Sequence, residues 1–190
     1  MVQCCTKVLG IQSKKCNFIP QMYQNQKIDA IDCRILRVLQ RDASLSIQQI
    51  GEEVGVSANP CWRRIKRLES LGIIQKRIAV IDAARLGLSM TCFVSIRTNR
   101  HNAEWLDSFA KGVEAIPEIM ECHRMTGDVD YLLKIIVADI AHYDRVYRRL
   151  INRVPELADV SSTFSMEQMK CDTAIDLTAI KLPGSPVLSE

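Results

Sequence analysis

The sequence predicts an α+β chain of two folded units, and three observations predict it. Apolar residues recur at helical spacing from Ile28 to Leu71, divided by capping residues and glycines into three short helices. From Met90 the pattern changes to strand, helix, strand, and then repeats it. The net charge of +3 divides at the same place, with 11 basic against 7 acidic side chains in residues 27–88 and 11 against 15 in residues 89–190. A basic half joined to an acidic half points to a polyanion-binding module attached to something that must not bind polyanions.

With 190 residues, 47% of them hydrophobic and 25% charged, the chain is long enough for two small domains with their own cores. It has no run of the roughly 20 apolar residues that a membrane span needs and no continuous apolar stretch of signal-peptide type near its start. A cytoplasmic protein is expected. The eight cysteines, at 4, 5, 16, 33, 61, 92, 122 and 171, form no C-x-x-C pair and read as reduced thiols.

Residues 1–26 show no helical or strand period and read as a flexible extension, one that an upstream start codon explains as well as a basic arm does. Helix one carries Ile28, Ile31, Ile35, Leu36 and Leu39 on one face, with Asp29 in its first turn and Arg37 and Arg41 toward its last, as the helix dipole favours. Ser46 and Gln49 form a capping box for helix two, whose stripe of Ile47, Ile50 and Val54 stops at Gly55. Ser57 is the next N-cap, Pro60 sits in the first turn where its missing N–H costs little, and helix three ends before Gly72. The β-branched run 73–81, with Gln75, Lys76 and Arg77 as a polar tip, predicts a short hairpin or wing. Three helices with a tight turn between the second and third, followed by a wing, are a winged helix-turn-helix over residues 27–82.

Residues 83–89 read as a hinge. Beyond it, Met90, Cys92, Val94 and Ile96 alternate with Thr91, Phe93, Ser95 and Arg97 in a first strand. A helix with Trp105, Leu106, Phe109, Val113 and Ile116 on one side follows, then strands at 119–125 and 131–137 joined by a Gly127-Asp128 turn. A second helix carries Tyr143, Val146, Tyr147, Leu150 and Ile151, and a fourth strand is expected at 160–169. Two βαβ units in tandem predict a ferredoxin-like sandwich over residues 90–172, with both helices on one face of a four-stranded antiparallel sheet and a tail at 173–190. The other sheet face reads as too apolar to stay solvated, so a second copy of the chain is expected to cover it.

The chemistry concentrates on helix three. At 100° per residue Cys61, Ile65 and Leu68 fall on one side, and Asn59, Arg63, Lys66 and Arg67 fall opposite. Four cations in the five residues 63–67, with only Glu69 near to neutralise them, are denser than solubility requires, so this face is expected to enter the major groove of duplex DNA. Arg64 lies on the flank and should make a weaker phosphate contact, while Lys76 and Arg77 add contacts that position without specifying. Trp62 and Trp105 read as packing residues, and Cys61 as a small core residue facing helix one.

The run Ser57-Ala-Asn-Pro-Cys-Trp-Arg-Arg-Ile-Lys-Arg-Leu-Glu69, followed by Leu71-Gly-Ile-Ile74, resembles the recognition helix of the leucine-responsive regulator and AsnC family of bacterial transcription factors. Gly127-Asp-Val-Asp-Tyr131 resembles the hairpin signature of that family's effector-binding domain, and the likeness covers roughly residues 27–172. Pro60-Cys-Trp62, His101-Asn-Ala-Glu-Trp105 and Phe164-Ser-Met-Glu-Gln-Met169 most resemble the branch that senses cysteine and activates its degradation. The resemblance implies a double-stranded DNA partner, with Ser57 among the DNA-binding positions, and a homodimer or a larger assembly such as a tetramer or octamer. It also implies an amino acid effector held between subunits by the hairpin after strand two and strand four of a neighbour. Asp128 and Asp130 offer anions suited to an ammonium, and backbone N–H groups around Gly127 suit a carboxylate. By position the resemblance places Arg124, Met125, Asp130, Ile140, Thr163, Phe164 and Ser165 in or beside that pocket. A plain hairpin turn is the competing reading of Gly127-Asp128.

No cofactor, metal or catalytic constellation is expected: His101, His123 and His142 lie on different elements, and no nucleophile is paired with a base. A thiol-based redox sensor using Cys4, Cys5 or Cys16 with a cysteine near the core is the alternative function.

Overall fold

The structure, a computed structural model, describes residues 28–100, 102–154 and 156–178. They form two compact units. The extension 1–26, with Cys4, Cys5 and Cys16, and the position of His101 lie outside the described residues.

The first unit contains α1 (Ala30–Arg41), α2 (Ile47–Val54) and α3 (Ala58–Ser70). Ile35, Ile50, Val54, Cys61, Ile65 and Leu68 close its core, each at most 2% exposed. The Ser46–Gln49 capping box is present in both directions at the start of α2. The turn into α3 explains Gly51: a Cβ there would stand 2.6 Å from the Val56 carbonyl oxygen, so only glycine lets the two helices approach so closely. Gly55, at φ 73°, and Gly72, at φ 70°, take the left-handed conformation that ends α2 and follows α3.

An ionic network that the sequence pattern did not reveal joins α1 to α3. Asp29 caps α1 by accepting the Asp32 N–H at 2.9 Å, and Asp32 accepts the Asp29 N–H at 3.1 Å. The Asp32 carboxylate, fully buried, also pairs through one oxygen with Arg64 at 2.9 Å and through the other with Arg67. Arg64 reaches Asp29 as well, at 2.6 Å. Glu69 is thus not the sole counter-charge of the cation cluster.

The predicted wing is absent. Residues 75–82 have no regular secondary structure, form no strand with the rest of the described chain, and leave Ile78, Val80 and Ile81 largely exposed. The run contains no residue suited to the left-handed turn that a hairpin tip requires, so β-branching alone does not make a hairpin. Ile73 and Ile74 instead pack against the helical core.

The C-terminal tail belongs to this unit too. The Gln40 side chain accepts the Ile175 N–H at 2.7 Å and donates to the Ile175 carbonyl at 3.2 Å, in the manner of one rung of a sheet, and Leu177 packs on the core.

The second unit follows a 3-10 turn at Ala84–Leu86 and contains β1 (Met90–Thr98), α4 (Ala103–Glu114), β2 (Ile119–Arg124), β3 (Tyr131–Val137), α5 (Ile140–Arg153) and β4 (Leu157–Phe164). The antiparallel sheet has the order β2-β3-β1-β4 of a ferredoxin-like sandwich. The fourth strand begins and ends earlier than the sequence suggested, because residues 165–169 have no β1 partner beyond Thr91 and Cys92. Alternate residues Cys92, Val94 and Ile96 of β1 and Leu133, Ile135 and Val137 of β3 are fully buried. They pack with Trp105, Phe109, Tyr143, Val146 and Leu150 of the two helices in one core. Gly112 permits the close approach of the chain end of α5, since its Cβ would meet Val154 at 2.8 Å. The opposite sheet face is more mixed than expected: Phe93, Leu132 and Ile136 share it with Glu121, which pairs with Lys134 at 3.2 Å and His123 at 3.1 Å.

Three predictions follow from this packing. Gly51→Ala should destabilise the helical unit by about 1–3 kcal/mol, read by urea denaturation, since the α2–α3 turn must move to admit the methyl group. Asp32→Ala should cost about 2–3 kcal/mol, because it leaves Arg67 without this partner and breaks the α1 capping box, the part exposure of Arg67 moderating the loss. Stability should also fall in acid. Burial raises the pKa of Asp29 and of Glu118, but hydrogen bonds and cations, Asp32 N–H and Arg64 for the first and Arg149 and His142 for the second, outweigh it and hold both below the ordinary range. Their contribution is therefore complete above the unfolded value of about 4 and is lost as the pH falls through the lower folded values. The denaturation midpoint at pH 3 should lie below that at pH 6.

Candidate nucleic-acid interface and effector site

The buried side of α3 leaves a definite stripe outside. Asn59, Trp62, Arg63, Lys66 and Arg67 are exposed, whereas Arg64 is only 28% exposed at its side chain because Asp29 and Asp32 hold it. Among the described residues Arg63 has no ion pair, and Lys66 reaches only Glu69, at 2.8 Å. Arg67 borders the stripe with its guanidinium on Asp32. Ser57 stands at the N-cap of α3 but its hydroxyl makes no capping bond, so it remains available at the positive end of the helix. Lys76 and Arg77 lie on the segment that follows α3, and Arg77 touches Glu69 at 3.4 Å.

This arrangement divides four adjacent cations by role. Arg64 is drawn toward the protein, and its pKa is raised by hydrogen bonds to Asp29 and Asp32. Arg63 projects from the helix with no ion pair among the described residues, and Lys66 projects beside it, paired only with Glu69. Trp62, read from sequence as a packing residue, is 48% exposed and contributes nothing to the fully buried core. Helical angle sets Trp62 on the flank, about 40° from Lys66 and about 60° from Ile65, so the sequence pattern alone did not decide its exposure.

Three of the described cysteines are buried, and Cys122 and Cys171 are exposed. Burial pushes the thiols of Cys33, Cys61 and Cys92 up, which keeps them neutral. Among the described residues no group of histidine, cysteine and carboxylate side chains is placed to hold a metal.

The expected effector residues form two clusters. Arg124, Met125, Gly127, Asp128 and Asp130 gather at the hairpin between β2 and β3, where the Met125 N–H donates to the Asp130 carbonyl at 2.8 Å and the Asp130 N–H to the Ile96 carbonyl at 3.0 Å. Gly127 has φ 105°, a conformation the turn demands. Asp128 is exposed and, among the described residues, its carboxylate has no hydrogen bond or ion pair. Asp130 differs: one of its carboxylate oxygens accepts the Thr98 N–H at 2.8 Å and pins the end of β1. The second cluster lies at the other end of the sheet. Ser165 N–H donates to the Thr91 carbonyl at 2.9 Å, Thr163 faces Phe93, and Phe164 meets Tyr143 edge-on at 5.0 Å. Ile140 begins α5 just after β3, whose last residue pairs with Met90. From Thr91 to Ile96 is about 17 Å at strand rise. One chain therefore does not bring the two clusters together.

Two family models match the chain: the AsnC-type helix-turn-helix domain over residues 28–69 and the Lrp/AsnC ligand binding domain over residues 91–175. The chain is 46% identical over 152 residues to the glutamate uptake regulatory protein of Zymomonas mobilis, covering 80% of this chain and 92% of that one. It is 43% identical over 150 residues to the DNA-binding transcriptional activator DecR of Escherichia coli, covering 79% and 99%. Among solved structures, an AsnC family transcriptional regulator from Agrobacterium tumefaciens superposes with a TM-score of 0.76 at 46% identity, covering 80% of this chain and 98% of that chain. A transcriptional regulator from Neisseria meningitidis in complex with L-Met does so with 0.74 at 28%, covering 80% and 97%. With both family domains present in order, the chain belongs to the Lrp/AsnC family of DNA-binding transcription regulators.

Proposed function

We propose that the chain binds duplex DNA by laying α3 in the major groove, and that an amino acid, cysteine, modulates this binding. In this reading Arg63, Lys66 and Asn59 face base edges, and Ser57, Lys76, Arg77 and the flanking Arg67 position the duplex through phosphates. Arg64 acts through the fold, by holding α3 on α1. The observation that carries the reading is the outward stripe of Arg63 and Lys66 beside an Arg64 locked onto Asp29 and Asp32.

The effector site is built between copies of the chain, the hairpin cluster of one facing the β4 cluster of another, because a single chain holds them about 17 Å apart. The dimer forms through the open sheet face, where Phe93, Leu132 and Ile136 would be covered. Asp128 and backbone N–H groups near Gly127 take the ammonium and carboxylate of the ligand. The L-Met complex of the Neisseria regulator supports the class of ligand, and the Pro60-Cys61-Trp62 and Phe164–Met169 likenesses favour cysteine within it.

Arg63→Ala should weaken binding to a duplex selected by the wild-type chain by about 1–3 kcal/mol without changing thermal stability. Arg64→Ala should lower the melting temperature. Fluorescence anisotropy and thermal denaturation separate the two, and equal effects on both readouts would contradict the assignment. In a thermal-shift series over the twenty amino acids, cysteine should raise the melting temperature most. Asp128→Ala should abolish that shift with stability intact, whereas Asp130→Ala should itself cost about 1–3 kcal/mol by leaving the Thr98 amide without its acceptor.

A further inference from the structure

We propose that Trp62 is a base-reading residue, its indole lying against the 5-methyl edge of thymine in the major groove and setting a T·A preference within each half-site. The inference rests on α3 being the DNA-reading helix and adds to it a residue chosen for apolar contact. The helical unit is complete without this side chain: Cys61, Ile65 and Leu68 fill the inner face of α3 at 0–1% exposure, while Trp62 is 48% exposed. A half-exposed indole forgoes hydrophobic free energy that a docked partner would recover.

The neighbours restrict what that partner is. Arg63 is adjacent, Lys66 stands one turn on, and Asn59 one turn before, all exposed. An apolar protein surface covering Trp62 would also have to desolvate Arg63, which has no ion pair among the described residues, and the Lys66–Glu69 pair beside it. The major groove of DNA supplies both requirements together, phosphates for the cations and thymine methyl groups for the indole. The indole N–H, a donor only, also matches the acceptors on base edges there.

The test uses the full chain, a duplex selected by the wild type from a random pool, and an unselected duplex. Trp62→Ala should lose about tenfold or more affinity for the selected duplex, equivalent to about 1.4 kcal/mol, with the unselected affinity and the salt slope unchanged. Replacing thymine by uracil at successive positions removes only the methyl group. At one or two positions it should weaken the wild type and leave Trp62→Ala unaffected. The selected duplex should also remove most acrylamide quenching of the wild-type tryptophan emission, since the other indole, Trp105, is only 6% exposed.

A Trp62→Ala protein that binds the selected duplex like the wild type, uracil sensitivity that persists in it, or an altered sedimentation mass of the free variant would each overturn the proposal. If Trp62→Ala fails to fold, Trp62→Phe and the wild-type uracil and quenching measurements decide, and insensitivity in both wild-type measurements counts against Trp62. Arg63→Ala distinguishes the failures: weakened binding by that variant alone rejects Trp62, and full binding by both variants rejects α3 as the reading helix.

Discussion

The exposed stripe of α3 depends on one buried carboxylate. Asp32 is fully enclosed between α1 and α3, and both of its oxygens are engaged, by the Asp29 amide and the guanidinium groups of Arg64 and Arg67. A buried anion is tolerated only where cations and donors saturate it, so the pairing constrains the rotation of α3 about its axis alongside the apolar core. Rotation, in turn, decides which side chains look outward. With Arg64 turned to the protein, Asn59, Trp62, Arg63 and Lys66 form the outer stripe, and the helix presents a narrower and more directed surface than its composition suggests.

The second unit is organised by its central strand. β1 pairs with β3 on one side and β4 on the other, buries Cys92, Val94 and Ile96 beneath the helices, and holds the β2–β3 hairpin at one end and the end of β4 at the other. Its length keeps apart two groups of residues that an effector site would need together. In the proposed reading a site assembled from both is complete only between copies of the chain, so ligand binding and oligomerisation would be linked.

Much of this was legible in the sequence, for local reasons. The Ser46–Gln49 box, the stripe on each helix and the change to alternating residues at Met90 are written in short-range patterns, and the β2-β3-β1-β4 order follows from two tandem βαβ units. The errors share a different cause. The wing was inferred from β-branching in 73–81, but a strand needs a partner, and none lies in the described chain. Asp32 carried no signal of its role in the sequence, because its pairing with Arg64 and Arg67 depends on a helix more than thirty residues away. The Gln40 clamp on Ile175 spans 135 positions and has no sequence signature. The exposure of Arg63 and Lys66 was legible from helical angle, whereas the structural use of Asp130 required the position of the Thr98 amide.

Arginine-selective modification, mapped by tandem mass spectrometry in the presence and absence of a selected duplex, tests the central claim most directly. Phenylglyoxal should modify Arg63 rapidly in the free protein and slowly in the DNA complex, while Arg64, engaged by Asp29 and Asp32, should react slowly in both. Rapid modification of Arg64 in the free protein, or an Arg63 rate unchanged by DNA, would contradict the orientation of α3 on which the account rests.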